Sequence, residues 1–379
     1  MSKPVPRPGL LEISPYTPGK STGTTARVHK LSSNESALGA SPNAIAAYER
    51  VAAKLERYPD GNAVALREAI GEVYGVAAAN IVVGAGSDEI ITLLIRAYAA
   101  EGDNIVQSAH GFSYYHLAAA SAGVETRYAP EKSYTADIDA IADTVDDRTR
   151  IVFLANPNSP TGTVLMGDVI SRLRAMLPPH VILVLDGAYA EYMDDPLFSG
   201  GDDLVREAMA TGADNVVMMR TFSKIYGLGG LRVGWAFAPD GIIDILNRIR
   251  PPFSVNAAGL AAAEAAVRDQ AFASRNRQHN AKERARVARA LSAFGFAVVP
   301  PYGNFILFGM PEAAEQDDAA EARMLLSHLE SEGVLIRSAA SSGLPGHLRV
   351  SIGNAEANDA FLAGLGNFVT QRRKTSSAV

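Results

Sequence analysis

Cysteine is absent from the 379-residue chain, so disulfide bonds and thiolate metal sites are excluded. No uncharged apolar run approaches the ~20 residues that a helix needs to span a membrane. The net charge of −6 gives no reason to expect nucleic acid or an anionic membrane as a partner. The proline-rich segment Met1–Gly9 lacks the apolar core of a secretory signal, and we expect it to form a loose arm. These absences predict a soluble, cytoplasmic protein without a metal site.

The composition predicts a large core divided between two domains. Hydrophobic residues make up 47% of the chain and charged residues 20%, as in ordinary globular proteins. Apolar strands alternate with helical stretches between residues 81 and 237, which predicts an α/β fold with a mainly parallel sheet covered by helices on both faces. We expect an N-terminal arm (1–40) that contributes to the small domain, a large domain (41–275) and a small C-terminal α/β domain (276–379).

A glycine-rich segment that follows an apolar strand is the most informative stretch. It contains a hydroxyl (Ser223), an amine (Lys224) and a guanidinium (Arg232), and the glycines between them let the backbone bend. Ser223 and Arg232 can both bind one phosphate, with Lys224 held between them. A lone lysine after a strand is most often a surface charge, but an amine beside a phosphate site suits a cofactor that carries both an aldehyde and a phosphate.

A second glycine-rich turn indicates another wall of the phosphate site. It joins a short strand to a helix that begins near Ser87 and Asp88. Backbone N–H groups in the first turn of a helix bind anions, whereas many such turns only serve close packing. Together with Ser223 and Arg232, the turn predicts that Ser87 and Asp88 contact the same phosphate.

Polar residues that follow other apolar strands indicate one shared site. Asn158 and Asp186 each come after a buried strand, as Lys224 does. Sites in mainly parallel sheets collect at the carboxyl ends of the strands, so we expect these three side chains to lie together. A carboxylate such as Asp186, just past five apolar residues, is costly to bury without a partner, and a protonated ring nitrogen is such a partner.

These motifs, in this order, resemble the class I/II aminotransferases, which are fold-type I enzymes dependent on pyridoxal 5′-phosphate (PLP). The resemblance implies that Lys224 forms a Schiff base with PLP and then acts as general base and acid. It implies that Asp186 pairs with the pyridine nitrogen, that Asn158 and Tyr189 bind the phenolic oxygen, and that Phe112 stacks on the ring. Lys224, Asp186 and Tyr189 are therefore the expected catalytic residues.

The N-terminal segment and the small domain resemble the histidinol-phosphate group of this family. An Asn-Glu pair that begins at Asn34 is followed some twenty residues later by Arg-Tyr-Pro, which contains Tyr58. The resemblance implies that Tyr58 reaches the PLP phosphate of the neighbouring subunit, so that a homodimer shares its active sites. It also implies that Arg349 and Arg337 bind the carboxylate or phosphate of a substrate, and we place Asn34 in the same substrate site.

The resemblance implies transfer of an amino group between L-histidinol phosphate and 2-oxoglutarate, with imidazole acetol phosphate and L-glutamate as the products. The chain departs from the group's pattern at Leu38, where some members have tyrosine, and at Gly187, where relatives commonly have glutamate. A broader aromatic amino-acid aminotransferase and a PLP-dependent lyase such as threonine-phosphate decarboxylase share the cofactor motifs. A PLP-binding regulator would need a DNA-binding module, and no segment of the sequence suits one.

Overall fold

The structure, a computed structural model, describes residues 4–7, 9–15, 19–20, 27–311 and 318–376. The expected loose arm, Met1–Gly9, lies partly outside these residues. In its described part, the guanidinium of Arg7 donates to the backbone oxygen of Ser121. None of the helices in the described ranges is both long enough and apolar enough to cross a membrane.

Strands and helices alternate through most of the described chain. The strands are β1 (His29–Lys30), β2 (Ile81–Gly84), β3 (Asn104–Ser108), β4 (Glu125–Ala129), β5 (Glu131–Lys132), β6 (Thr135–Ala136), β7 (Thr149–Ala155), β8 (Ile182–Asp186), β9 (Val216–Thr221), β10 (Gly234–Phe237), β11 (Ala297–Val298), β12 (Phe305–Gly309), β13 (Val334–Leu335), β14 (Arg337–Ser338) and β15 (His347–Ser351). The α-helices are α1 (Pro42–Val51), α2 (Val64–Tyr74), α3 (Ser87–Tyr98), α4 (Ser113–Ala122), α5 (Ile138–Thr144), α6 (Gly167–Met176), α7 (Asp202–Thr211), α8 (Asp240–Ile249), α9 (Ala257–Arg268), α10 (Gln270–Ala293), α11 (Asp318–Ser331) and α12 (Ala355–Ser376).

The largest sheet has the spatial order β2-β10-β9-β8-β7-β3-β4. The strand pairs of this sheet are parallel except the two that β10 forms with β2 and β9, so the expected mainly parallel sheet is confirmed. Alternate residues of β8 enter different cores, with Leu183 and Leu185 in one and Ile182 and Val184 in the other. Both faces of the sheet are therefore covered, which explains why its central strands are continuous apolar runs.

A second, antiparallel sheet has the order β11-β12-β15-β14, and β1 pairs with β13 beside it. Residues near the N-terminus thus pair with a strand from the C-terminal part of the chain. The helix α10 runs without a break through residue 275, where we placed the domain boundary. The three domain limits stay a prediction.

Helix α1 ends at Val51, and a 3₁₀ turn (Ala52–Lys54) follows it. Two arginines of α10 bind other parts of the chain, since Arg277 donates to the backbone oxygen of Glu191 at 2.8 Å and Arg284 to that of Tyr302 at 2.6 Å. The long helix α12 lies near the C-terminus, and its apolar residues pack on the second sheet.

Candidate active site

The ends of β8 and β9 bring two of the expected catalytic residues to one edge of the sheet. Asp186 is the last residue of β8, and its Cα pairs in register with that of Met219 in β9. Lys224 lies three residues beyond the end of β9. These parallel strands place both side chains at the carboxyl edge, where sites in α/β sheets form.

Lys224 lies among oxygen atoms and an aromatic ring. Its Nζ atom is 3.4 Å from the backbone oxygen of Ser33 and 5.6 Å from the centre of the Tyr189 ring. Burial alone would raise the pKa of Tyr189, but the positive charges of Lys224 and Arg349 and a hydrogen bond from Asn34 bring that pKa below its ordinary value. These surroundings therefore favour the ionised form of the Tyr189 phenol more than water does.

Asn34 is held rigidly beside Tyr189. Its Nδ2 donates to the Tyr189 hydroxyl at 2.8 Å, and its backbone has a φ of 55° in the left-handed region, which asparagine tolerates better than most residues. Its backbone N–H donates to Ser351 Oγ at 2.7 Å, and Asn304 Nδ2 donates to its backbone oxygen at 2.9 Å. Residues in and beside the small sheet thus position an amide that binds Tyr189, in the turn that follows β8.

Asp186 is 4% exposed, and each of its carboxylate oxygens accepts one hydrogen bond. Its Oδ2 accepts from the Tyr115 hydroxyl at 2.7 Å and its Oδ1 from the Ala188 N–H at 3.1 Å. Burial raises the pKa of Asp186 above its ordinary value, although both hydrogen bonds act in the opposite direction. We call Asn34, Tyr115, Asp186 and Tyr189 the buried cluster.

The residues expected to hold a phosphate form a second, more exposed group. Arg232 Nη1 donates to Ser223 Oγ at 3.3 Å, and Arg232 Nη2 to Asp88 Oδ2 at 2.9 Å. Ser87 is the first residue of α3, whose N-terminus has no side-chain cap. Gly86 has a φ of +83°, and a Cβ there would lie 2.5 Å from Arg232 Nη2. We call Ser87, Asp88, Ser223 and Arg232 the anion cluster.

Asn158 and Phe112 are the remaining residues of the expected cofactor site. Asn158 Nδ2 donates to the backbone oxygen of His110 at 3.1 Å and to Thr161 Oγ1 at 3.0 Å, so one of these bonds must be exchanged if this amide binds a phenolic oxygen. The Phe112 ring meets Tyr115 edge to face at 5.5 Å. The cofactor contacts expected of Asn158 and Phe112 stay predictions.

A cavity of about 110 Å³ opens beside Lys224. It is lined by Asn34, Phe112, Tyr189, Lys224, Arg337 and Arg349, together with several serines. Arg349 donates to Ser159 Oγ at 3.4 Å and to the backbone oxygen of Ser32 at 3.2 Å. The Cα atoms of Arg337 and Arg349 are paired in register on β14 and β15, so two guanidinium groups reach one cavity from the small sheet.

Tyr58 lies apart from both clusters in this chain. It is 84% exposed, and its ring stacks on Phe253 with the centroids 5.0 Å apart. Its expected contact with a phosphate of the neighbouring subunit stays a prediction.

The residues present fit PLP. An amine, a buried carboxylate and a phenol of lowered pKa lie beside a group of phosphate-binding character, in which small residues leave room at the start of a helix. A Cβ at Gly234 would lie 2.3 Å from the backbone nitrogen of Ser87, so this approach requires glycine. Fold and site together define a PLP-dependent enzyme of the fold-type I class.

Comparisons with known proteins give the family. The model of aminotransferase class I and II matches residues 26–365, so the chain belongs to this family and is a PLP-dependent aminotransferase. A histidinol-phosphate aminotransferase of Granulibacter bethesdensis is 45% identical over 379 residues, which cover all of both chains. One of Rhodopseudomonas palustris (strain HaA2) is 44% identical over 373 residues, which cover 98% of this chain and 100% of the relative.

The solved structures agree with this assignment. The histidinol-phosphate aminotransferase of Sinorhizobium meliloti, in complex with PLP, superposes with a TM-score of 0.84 at 27% identity. The match covers 91% of this chain and 92% of that one. The fold class, the enzyme class and the cofactor expected from the sequence are thus confirmed.

Sequence reasoning missed several residues that hold the site together. Tyr115 binds Asp186, and Ser351 and Asn304 hold Asn34, but none of these residues carries a signal that distinguishes it from ordinary core or loop residues. Arg220 is a clearer omission, because an arginine inside an apolar strand is a detectable anomaly.

Proposed function

We propose that the protein transfers an amino group between L-histidinol phosphate and 2-oxoglutarate, with imidazole acetol phosphate and L-glutamate as the products. The observation that carries the proposal is the pair of arginines, Arg337 and Arg349, in the cavity beside Lys224. Guanidinium groups bind phosphate and carboxylate in a bidentate manner, so the cavity suits an amine whose far end is anionic. The full-length relatives named histidinol-phosphate aminotransferase support the same substrate.

The residues of the two clusters would divide the chemistry between them. PLP, when bound, supplies an aldehyde that combines with the substrate amine and a ring that accepts electrons from the amine-bearing carbon. The Lys224 amine would remove the proton from that carbon and deliver it to the former aldehyde carbon of the cofactor, which is the 1,3-proton shift that transfers the amino group. An ionised Asp186 would keep a proton on the ring nitrogen, while the Tyr189 hydroxyl, held by Asn34, would donate to the phenolic oxygen of the cofactor.

The anion cluster and Tyr58 would hold the cofactor phosphate. Ser87, Ser223 and Arg232 supply donors from one chain, with Asp88 holding the guanidinium in place. Tyr58 supplies a hydroxyl from the neighbouring subunit, which makes the protein a homodimer with shared sites. Exposed apolar side chains near Tyr58, including Leu55 at 78% exposure, support a subunit interface there.

The same proposal covers the domain division and the location of the protein. The large domain (41–275) would carry the cofactor, and the small domain (276–379 with the arm 1–40) would carry the substrate arginines. The absence of cysteine from the sequence is consistent with a cytoplasmic enzyme.

A panel of amino donors tests the proposal. The purified holoenzyme is mixed with L-histidinol phosphate, L-histidinol, L-glutamate or an aromatic amino acid, and the half-reaction is followed by the cofactor absorbance. We expect kcat/KM for L-histidinol phosphate to exceed that for L-histidinol by at least ~10²-fold, because removal of the phosphate leaves the arginines unpaired. A preference for aromatic amino acids would replace the proposal with the broader aminotransferase, and release of carbon dioxide from threonine phosphate would replace it with a lyase.

A further inference from the structure

Arg220 is a buried cation that takes no part in the proposed chemistry. It is the second-to-last residue of β9, four residues before Lys224, and its side chain is 5% exposed. A buried guanidinium is costly unless it is both paired and hydrogen-bonded. Its partners therefore indicate what the residue does.

Most of these partners lie in the turn that follows β8. Arg220 Nη1 donates to the backbone oxygen of Gly187 at 3.4 Å, and its Nε lies 3.6 Å from Glu191 Oε1. The third contact is with the next loop, where Nη2 donates to the backbone oxygen of Gly200 at 2.8 Å. The Arg220 side chain thus connects both ends of the turn 187–191 to β9.

The guanidinium occupies the space of a side chain at position 187. A Cβ built on Gly187 would lie 1.4 Å from Arg220 Nη1 and 2.7 Å from its Cζ. A larger residue at position 187 therefore requires the end of the Arg220 side chain to leave this position.

The turn carries two residues of the buried cluster. Asp186 precedes Gly187 directly, and Tyr189 lies between Gly187 and Glu191. The Gly187 oxygen also accepts from the Ala190 N–H at 3.0 Å, so the arginine reinforces a bond that closes the turn. We propose that Arg220 is a positioning residue that fixes the turn 186–191, so that Asp186 and Tyr189 meet the cofactor in productive geometry. The inference rests on the proposed roles of these two residues.

The charge of Arg220 also acts on Asp186. Burial raises the pKa of Asp186, and the negative charge of Asp88 adds to this effect. The hydrogen bonds from Tyr115 and the Ala188 N–H oppose it, as does the positive charge of Arg220. Removal of that charge raises the pKa of Asp186 further. The ionised carboxylate, and with it kcat, is then lost at a higher pH as the solution is acidified.

The first experiment compares Arg220→Met and Arg220→Lys with Arg248→Met, which removes an exposed arginine from a surface ion pair with Asp244. For Arg220→Met we expect kcat of the L-glutamate half-reaction to fall ~10-fold or more, KM to change less than ~2-fold, and the acid limb of the kcat profile to move to higher pH. Arg220→Lys keeps the charge and should retain the wild-type acid limb while restoring part of kcat. Wild-type kcat and acid limb in Arg220→Met would overturn the inference, as would an equal loss in Arg248→Met.

A double-mutant cycle tests the contact between Arg220 and Gly187. Its readout is the affinity for PLP, measured by titration of the apoprotein. Gly187→Ala should weaken PLP binding ~10-fold in the wild type and by less than ~3-fold with Arg220→Lys, because lysine lacks the Nη atoms that meet the new Cβ. Gly241→Ala, at a glycine with open space, is the control. Equal losses in both backgrounds would overturn the inference, and this cycle decides it even where Arg220→Met fails to fold. If the wild type binds PLP but transaminates neither L-glutamate nor L-histidinol phosphate, the proposed function is refuted. The cycle of PLP affinities still tests the role of Arg220 in that case.

Discussion

The buried cluster and the anion cluster belong to one site, but the protein holds them in different ways. Asp186 is 4% exposed and both of its oxygens accept hydrogen bonds from the same chain. In the anion cluster, the side chains of Arg232 and Asp88 are 47% and 38% exposed and form an ion pair. The hydrogen bonds of the first cluster come from one chain and are shielded from water, whereas the second cluster is open to solvent.

The difference indicates which part of the site determines rate and which determines affinity. Low exposure strengthens electrostatic interactions, so a misplaced group in the buried cluster costs transition-state stabilisation. An exposed ion pair is weak and is screened by salt, so Arg232 can offer its other donors to a phosphate at little cost while Asp88 holds the guanidinium. Substitutions in the buried cluster should therefore act on kcat, and those in the anion cluster on PLP affinity.

The largest effect is expected from Lys224→Ala, at the junction of the two clusters. Loss of the amine removes both the covalent attachment and the proton carrier, so transamination should fall by more than ~10³-fold. In the wild type, borohydride reduction should leave the cofactor mass on the peptide that contains Lys224, as read by mass spectrometry. A label on another lysine would contradict the assignment of this residue.

Asp186→Asn sharpens the comparison, because it keeps the shape of the buried cluster and removes its charge. We expect PLP to stay bound and kcat to fall ~10²-fold or more, since a neutral amide does not keep the ring nitrogen protonated. Wild-type kcat should fall with acidification as Asp186 takes up a proton, because only the ionised form is active. The variant should lack this limb. Near-normal turnover would remove Asp186 from the mechanism.

Arg232→Gln tests the anion cluster. PLP affinity should weaken by ~1.5–3 kcal/mol, the usual loss for hydrogen bonds to a charged group, while kcat at saturating PLP changes little. Asp88→Asn removes only an exposed ion pair and should cost less than ~1 kcal/mol. Titration of the apoproteins at low and high salt separates the clusters, since salt should weaken PLP binding in the wild type more than in Arg232→Gln. If kcat of Arg232→Gln fell as much as that of Asp186→Asn, the two clusters would not divide rate and affinity between them.

The sequence predicts where the catalytic residues lie but not which residues hold them in place. Strand ends locate Asp186 and Lys224, because an apolar run followed by a polar residue marks the carboxyl edge of a buried strand. The mainly parallel sheet follows from the same pattern. The support around Asp186 does not follow from it, because the Tyr115 bond joins residues 71 positions apart and depends on how α4 packs. Arg220 and Gly187 likewise explain each other only when both are seen in space.

Tyr58 tests whether the anion cluster is completed by a second chain, with an expected effect smaller than that of Arg232→Gln. Its ring stacks on Phe253 and its side chain is 84% exposed, so within one chain its hydroxyl is available to a partner. Tyr58→Phe keeps the ring and should weaken PLP binding by ~1.5 kcal/mol, the lower end of the loss for one hydrogen bond to a charged group. Light scattering is expected to show a dimer.

Subunit mixing determines whether that hydroxyl acts across the interface. A Lys224→Ala chain is combined with a Tyr58→Ala chain, each nearly inactive at limiting PLP. If the site is shared, each mixed dimer has one site that combines Lys224 of one chain with Tyr58 of the other, and activity at limiting PLP should rise with the fraction of mixed dimers. If Tyr58 acts within its own chain, every site of the mixed dimer lacks one of the two residues or the other, and mixing restores nothing. An active monomer, or proven mixed dimers without recovery, would refute the shared site and leave the anion cluster complete within one chain.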